Sequence, residues 1–185
     1  MNKRDAINEV LMALNELPLQ PSDSVEAIPT AILVDREINI AKKKVLSYGW
    51  EFNTFTLSFY PNSEGHIVVP STFLSADGGE DNPQVIIRDW KVYDTERKSF
   101  KFDSPIELDV IDDTLFDDIP FSVANYIVQV AALKAYVDII GNTDDISLRR
   151  SEVQEAKMEA LRYDARISNT NLLDSDYVNG LLKWW

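Results

Sequence analysis

The hydrophobic period of this 185-residue chain changes twice, and that change limits the folds open to it. Apolar residues recur every three or four positions near both ends, the spacing of a helix face. In the middle they recur at every second position, the spacing of a strand with one buried face. Residues 3–17 read as a short amphipathic helix, with Ile7, Val10, Leu11 and Leu14 on one side and Pro18 to end it. A connector with Pro18, Pro21 and Pro29 follows. Ala31, Val34, Ile38, Ala41, Val45 and Tyr48 then predict a long helix over 28–48, with Pro29 in its first turn. Lys42, Lys43 and Lys44 lie near its C-terminal end, where cations complement the helix dipole. Gly49 suits a C-terminal cap.

Between 50 and 111 the pattern is β-like, with runs at 50–60, 66–69, 85–88, 90–93 and 106–111. Thr54, Thr56 and Ser58 alternate with Phe55, Leu57 and Phe59. Pro61-Asn62, Glu64-Gly65 and Asp77-Gly78-Gly79 punctuate the turns. These runs predict an antiparallel sheet of four to six strands. Helix returns at Pro120, which biases Ile119 out of the helical region. From Val123 to Ile140 apolar residues lie almost all round, as in a central, buried helix. Gly141-Asn142 ends it. A last helix begins at Asp145 or Ser147 and runs to about 167. Its stripe is Val153, Ala156, Ala160, Tyr163 and Ile167, opposite a charged face.

The expected fold class is therefore α+β: a four-helix bundle-like core with an inserted small antiparallel β domain. The expected domains are 1–49 with 119–170 (helical), 50–118 (β) and 171–185 (an extended C-terminal tail). Trp50 and Trp90 are expected in the core. Trp184 and Trp185, with Leu181 and Leu182, end a polar tail and read as an anchor for a partner or a neighbouring subunit. The alternative is that the tail folds back on its own chain.

Composition removes several classes. Eighteen Lys and Arg stand against 31 Asp and Glu, a net charge of −13. That argues against a duplex-DNA binder, whose affinity comes from cations neutralising phosphates, and against docking on an anionic membrane. The excess is uneven along the chain. Residues 1–50 hold 6 basic and 7 acidic groups, 51–119 hold 5 and 15, and 120–185 hold 7 and 9. No window is long and apolar enough to span a membrane, and the N-terminus lacks the pattern of a signal peptide. There is no cysteine, which excludes disulfides, thiolate catalysis and zinc–sulfur sites.

His66 is the only histidine, so two-His metal sites cannot form within one chain. A lone histidine beside Gly65 reads as a structural or surface residue, with triad catalysis the alternative. Neither a G-x-S-x-G elbow nor a phosphate-binding glycine loop is present. The pairs Asp112-Asp113, Asp117-Asp118 and Asp144-Asp145 read as helix-start and loop acids. A weak divalent-ion site and a glycan-hydrolase pair remain as alternatives. No catalytic, metal or cofactor-binding residue is assigned, and no cofactor is expected.

The segment Val45-Leu46-Ser47-Tyr48-Gly49-Trp50-Glu51-Phe52-Asn53-Thr54 resembles the end of the long helix in the tail tubular protein A family of short-tailed bacteriophages. Val92-Tyr93-Asp94 with Phe102-Asp103 resembles that family's strand pair. Asp118-Ile119-Pro120 before Tyr126-Ile127-Val128 resembles its helix start. Asn171-Leu172-Leu173-Asp174-Ser175-Asp176 resembles its tail. On this resemblance Gly49, Trp50, Phe52, Asn53 and Pro120 are family-motif, scaffold residues.

The resemblance implies a structural virion protein and not an enzyme. It implies a homo-oligomeric ring, usually of twelve subunits, in the neck of the virion tail. Its implied partners are the portal, a tubular protein B-type tail nozzle and, as a further contact, tail fibres. DNA passes through the ring without specific binding, and no membrane is involved. Synthesis is expected in the host cytoplasm. The charged face of the last helix could pair with a neighbour's Lys42–Lys44. Two other readings stand beside this one: a tail-associated glycan hydrolase using paired carboxylates, and a receptor or fibre connector module.

Overall fold

The structure is a computed structural model that describes residues 1–79, 82, 84–141 and 145–168. It has an α+β fold. The chain divides into two compact units, Met1–Lys42 with Phe116–Trp185, and Lys43–Leu115.

The first unit is helical: α1 (Lys3–Ala13), most of α2 (Pro29–Leu46), α3 (Phe121–Ile139) and α4 (Ile146–Ile167). Asn2 caps α1, its side-chain oxygen accepting from the Asp5 N–H at 2.8 Å. α1 ends at Ala13, five residues before Pro18, so the proline is not what ends it. Asn15 takes a left-handed φ of 61°, the Glu16 N–H bonds the Leu11 carbonyl and the Asn15 N–H bonds that of Met12. This six-to-one bond is a Schellman ending, with asparagine in the place where glycine is commonest. The connector that follows is tied back to α1. The Leu19 N–H donates to Asn8, and Arg4 donates to the carbonyls of Gln20 and Asp23.

α3 packs against α1 and α4. Its contact surface is built from small residues. Ala124, Ala131, Ala132 and Ala135 are buried with Val123, Ile127 and Val128, and α1 and α4 add Ala6, Ala156 and Ala160. Small side chains let helix axes approach closely. The expectation of an apolar helix buried all round does not hold. The buried residues of α3, from Val123 and Ala124 to Ala135 and Tyr136, form one stripe, Val130 and Leu133 are half-buried, and Phe121, Val137 and Ile139 are exposed. Polar contacts fix α1 to its neighbours. Lys3 Nζ reaches Asp35 and Asn39 of α2 at 2.8 Å each, and Arg149 of α4 donates to the Ala13 carbonyl at 2.6 Å.

Among the described residues the second unit holds five strands: β1 (Thr54–Phe59), β2 (Phe73–Asp77), β3 (Val85–Arg88), β4 (Lys91–Asp94) and β5 (Ile106–Asp112). They form two antiparallel sheets, one ordered β1-β5-β2 and one a β3–β4 hairpin. Thr54 faces Ile111 and Phe59 faces Ile106, so β5 runs down the middle of the larger sheet. The two sheets share a core of Ile67, Val69, Val85, Val92, Phe102, Leu108 and Val110.

Three strand expectations change. Residues 50–53 form a turn, so β1 starts at Thr54. Residues 66–69 make isolated bridges, His66 with Lys101 and Val68 with Lys91, and not a strand. β2 was not expected from the sequence. Its register shifts between Phe73 and Ser75, and such a bulge breaks the period-two pattern that would reveal a strand.

Candidate functional site

Four of the five family-motif residues, Gly49, Trp50, Phe52 and Asn53, meet at the corner where α2 gives way to β1. Gly49 has φ of 77°, and a side chain there would meet Ile111 Cδ1 at 3.2 Å and Thr54 Oγ1 at 3.3 Å. Both the backbone and the close approach call for glycine. Trp50 is 2% exposed and its indole N–H donates to the Val45 carbonyl at 2.8 Å. Tyr48 leans on it, with ring centroids 5.2 Å apart. Asn53 is fully buried and uses its amide in three directions. Its oxygen accepts from the Trp50 N–H at 2.8 Å. Its nitrogen donates to the carbonyls of Leu46 at 3.2 Å and Asp112 at 3.1 Å. One side chain thus joins the last turn of α2, the turn after it and the end of β5. Phe52 is half-buried beside these residues. Pro120 is the N-cap of α3, and its carbonyl accepts from the N–H groups of Val123 and Ala124.

The chemistry-bearing residues are spent differently. His66 closes a loop: its backbone N–H donates to Asn62 Oδ1 at 2.9 Å, and its ring Nδ1 lies 3.4 Å from Glu64. Asp112 accepts from the Thr114 hydroxyl, and the Asp113 N–H donates to the Thr72 carbonyl. Asp117 accepts from the Lys3 N–H at 2.7 Å. Asp145 is the N-cap residue of α4, without a side-chain cap bond, and Asp144 lies outside the described residues. Among the described residues no group of three or more His, Asp or Glu could hold a metal ion.

Several surfaces were not legible in the sequence. In the helical unit, a cavity of about 330 Å³ lies among Glu9, Gln129, Arg149, Glu152, Glu155 and Glu159. Burial pushes the Glu9 carboxyl above the ordinary carboxylate range, and a hydrogen bond from Gln129 offsets part of that. In α2, Lys42 is 9% exposed while Lys43 and Lys44 are open. A neighbour's helix could therefore meet Lys43 and Lys44 but not Lys42, which corrects the three-lysine expectation.

In the β unit, Phe55 and Leu57 are 45% and 40% exposed, although their alternation predicted a buried face. Their strand β1 lies at an edge of its sheet and carries neither charge nor proline. Natural edge strands usually carry one or the other as protection. Trp90 also departs from expectation: it is 46% exposed and not in the core. Leu181, Leu182, Trp184 and Trp185, expected as an anchor, lie outside the described residues.

The charge map shifts once the units are known. The helical unit holds 11 basic and 18 acidic residues, net −7. The β unit holds 7 and 13, net −6. Lys43 and Lys44 fall in the β unit and Asp117 and Asp118 in the helical one, so the acidity is shared.

A corner built from glycine, a buried indole and a buried amide is a device for joining elements. Comparison with known proteins makes this specific. The tail tubular protein family matches residues 4–170, and the chain belongs to that family. It is 29% identical over 167 residues to the tail tubular protein A of Klebsiella phage KP34, covering 90% of this chain and 88% of that relative. The chain is thus a structural component of a phage tail and not an enzyme.

Proposed function

We propose that copies of this chain assemble into a head-to-tail adaptor ring of twelve subunits. The ring joins the portal to the tail nozzle, with tail fibres as a further contact, and forms part of the channel for DNA ejection. The observation that carries this reading is the match to a tail tubular protein A along almost the whole of both chains. Two features of the molecule support it. Both units carry net negative charge, so either would present phosphate with a repelling wall along which DNA slides without a bound state. The uncharged edge strand β1, with Phe55 and Leu57 open, suits a surface covered by another subunit. A closed ring requires head-to-tail interfaces, which an edge strand and an exposed apolar face can supply.

Light scattering with size-exclusion chromatography, and negative-stain images with and without the portal, test the proposal. The expected result is a ring that caps the portal. A chain that stays monomeric at all concentrations and ignores the portal overturns it.

A further inference from the structure

β3 and β4 are joined by a two-residue turn, since Arg88 pairs with Lys91. Its central residues, Asp89 and Trp90, have φ of 50° and 59°. Positive φ at both positions is the type I′ hairpin turn, which favours glycine at the second of them. A bulky residue there is held against its own preference, and burial repays the strain only in part, because nearly half of the residue is open. Trp90 lines an open cavity of about 480 Å³ together with Val69, Leu74, Ser75, Ala76, Ile87 and Asp89. That volume is in the range of pockets that take a ligand or a large side chain. Val69 and Ile87 give it an apolar floor continuous with the core. Asp89 makes no salt bridge among the described residues.

We propose that this cavity receives residues 181–185 of a second copy of the chain. The segment Leu-Leu-Lys-Trp-Trp complements it in kind. It offers two indoles and two leucines to an apolar floor and a tryptophan wall. Lys183 is the one cation in residues 169–185, and Asp89 stands at the cavity as its counter-charge. Seventeen residues follow Ser168, enough to extend up to about 60 Å and reach another copy. The inference rests on the assembly of copies under the proposed function and names one contact of that assembly.

The chain has no cysteine, so disulfide trapping tests this on the full-length protein without background. One copy carries Ser75→Cys, at the cavity. The other carries a cysteine added after Trp185. Mixed and oxidised, they should give a heterodisulfide well above that from a control pair with Ser151→Cys on α4. Asp89→Lys in the first copy should cut the yield about fivefold, the size of a partly shielded ion pair. Lys183→Asp in the second copy should restore it. Trp90→Gly should raise the melting temperature, because glycine suits the turn, and yet lower the yield.

No heterodisulfide above the control overturns the proposal. So does closure within a single chain, when one copy carries both cysteines at high dilution and the mixture gives none, because the occupant is then the chain's own tail. Sizing of the unmodified protein separates the two levels. Assembly without the cross-link removes this contact alone, whereas a strict monomer removes the ring as well.

Discussion

The helical and β units carry nearly the same net charge, but their exposed aromatic residues differ. Tyr48, Phe55, Tyr60, Trp90 and Phe100 are open in the β unit, against Phe121 in the helical unit, among the described residues. Their cores differ as well. The helical core mixes many alanines with its Ile, Val and Leu, whereas the buried β core is Ile, Val, Leu and Phe without alanine. Charge counted along the sequence pointed to the middle of the chain as the special region. The structure keeps the β unit special but for another reason. Large flat side chains that their own unit leaves partly open are what subunit contacts use. Net charge acts over long distances and says little about where a contact forms.

Substitutions can break or sharpen this contrast. The largest effect is expected for Asn53→Ala. It leaves the buried Trp50 N–H without its partner and takes one bond from each of the Asp112 and Leu46 carbonyls, the latter still accepting from the Gly49 N–H, at about 3 kcal/mol by chemical denaturation. Ala131→Leu should cost about 2 kcal/mol in the same assay, because α3 has no room for added methylenes. If Ala131→Leu is neutral, the close helix contact is wrong. Gly49→Ala should cost about 1.5 kcal/mol, from the left-handed backbone alone.

Phe55→Thr with Leu57→Thr should change stability by less than about 1 kcal/mol, since both side chains are half open. Light scattering should nevertheless show weaker self-association. A large loss of stability without change in assembly would place those residues in the core and end the contrast.

The smallest effect concerns Glu9. Its carboxyl is raised in the folded state by burial, so the unfolded chain gives up its proton first as pH rises. The associated stability is present below the unfolded value of about 4.5 and is lost as pH passes through the folded value. Glu9→Gln keeps an oxygen to accept from Gln129 and removes the buried charge. Its melting temperature should therefore exceed that of the natural chain at pH 7 and match it below pH 4. Because burial and not a neighbouring charge raises the carboxyl, the difference should persist in high salt.

The sequence by itself determined the element types and most of their ends. Helix period, strand alternation, glycine and proline act over a few residues, and a single chain displays them in full. The Gly49–Asn53 motif was legible for the same reason, and it led to the family. Tertiary structure decided which apolar residues are covered. Trp50 and Trp90 look alike in their local runs, yet one is sealed at the corner and the other stands at a hairpin tip. It also decided that β2 exists, that Lys42 is buried and that Lys43, Lys44, Asp117 and Asp118 belong to units other than the sequence segments suggested. Burial, a bulged register and a unit boundary depend on partners distant along the chain, and local periodicity carries no record of those partners.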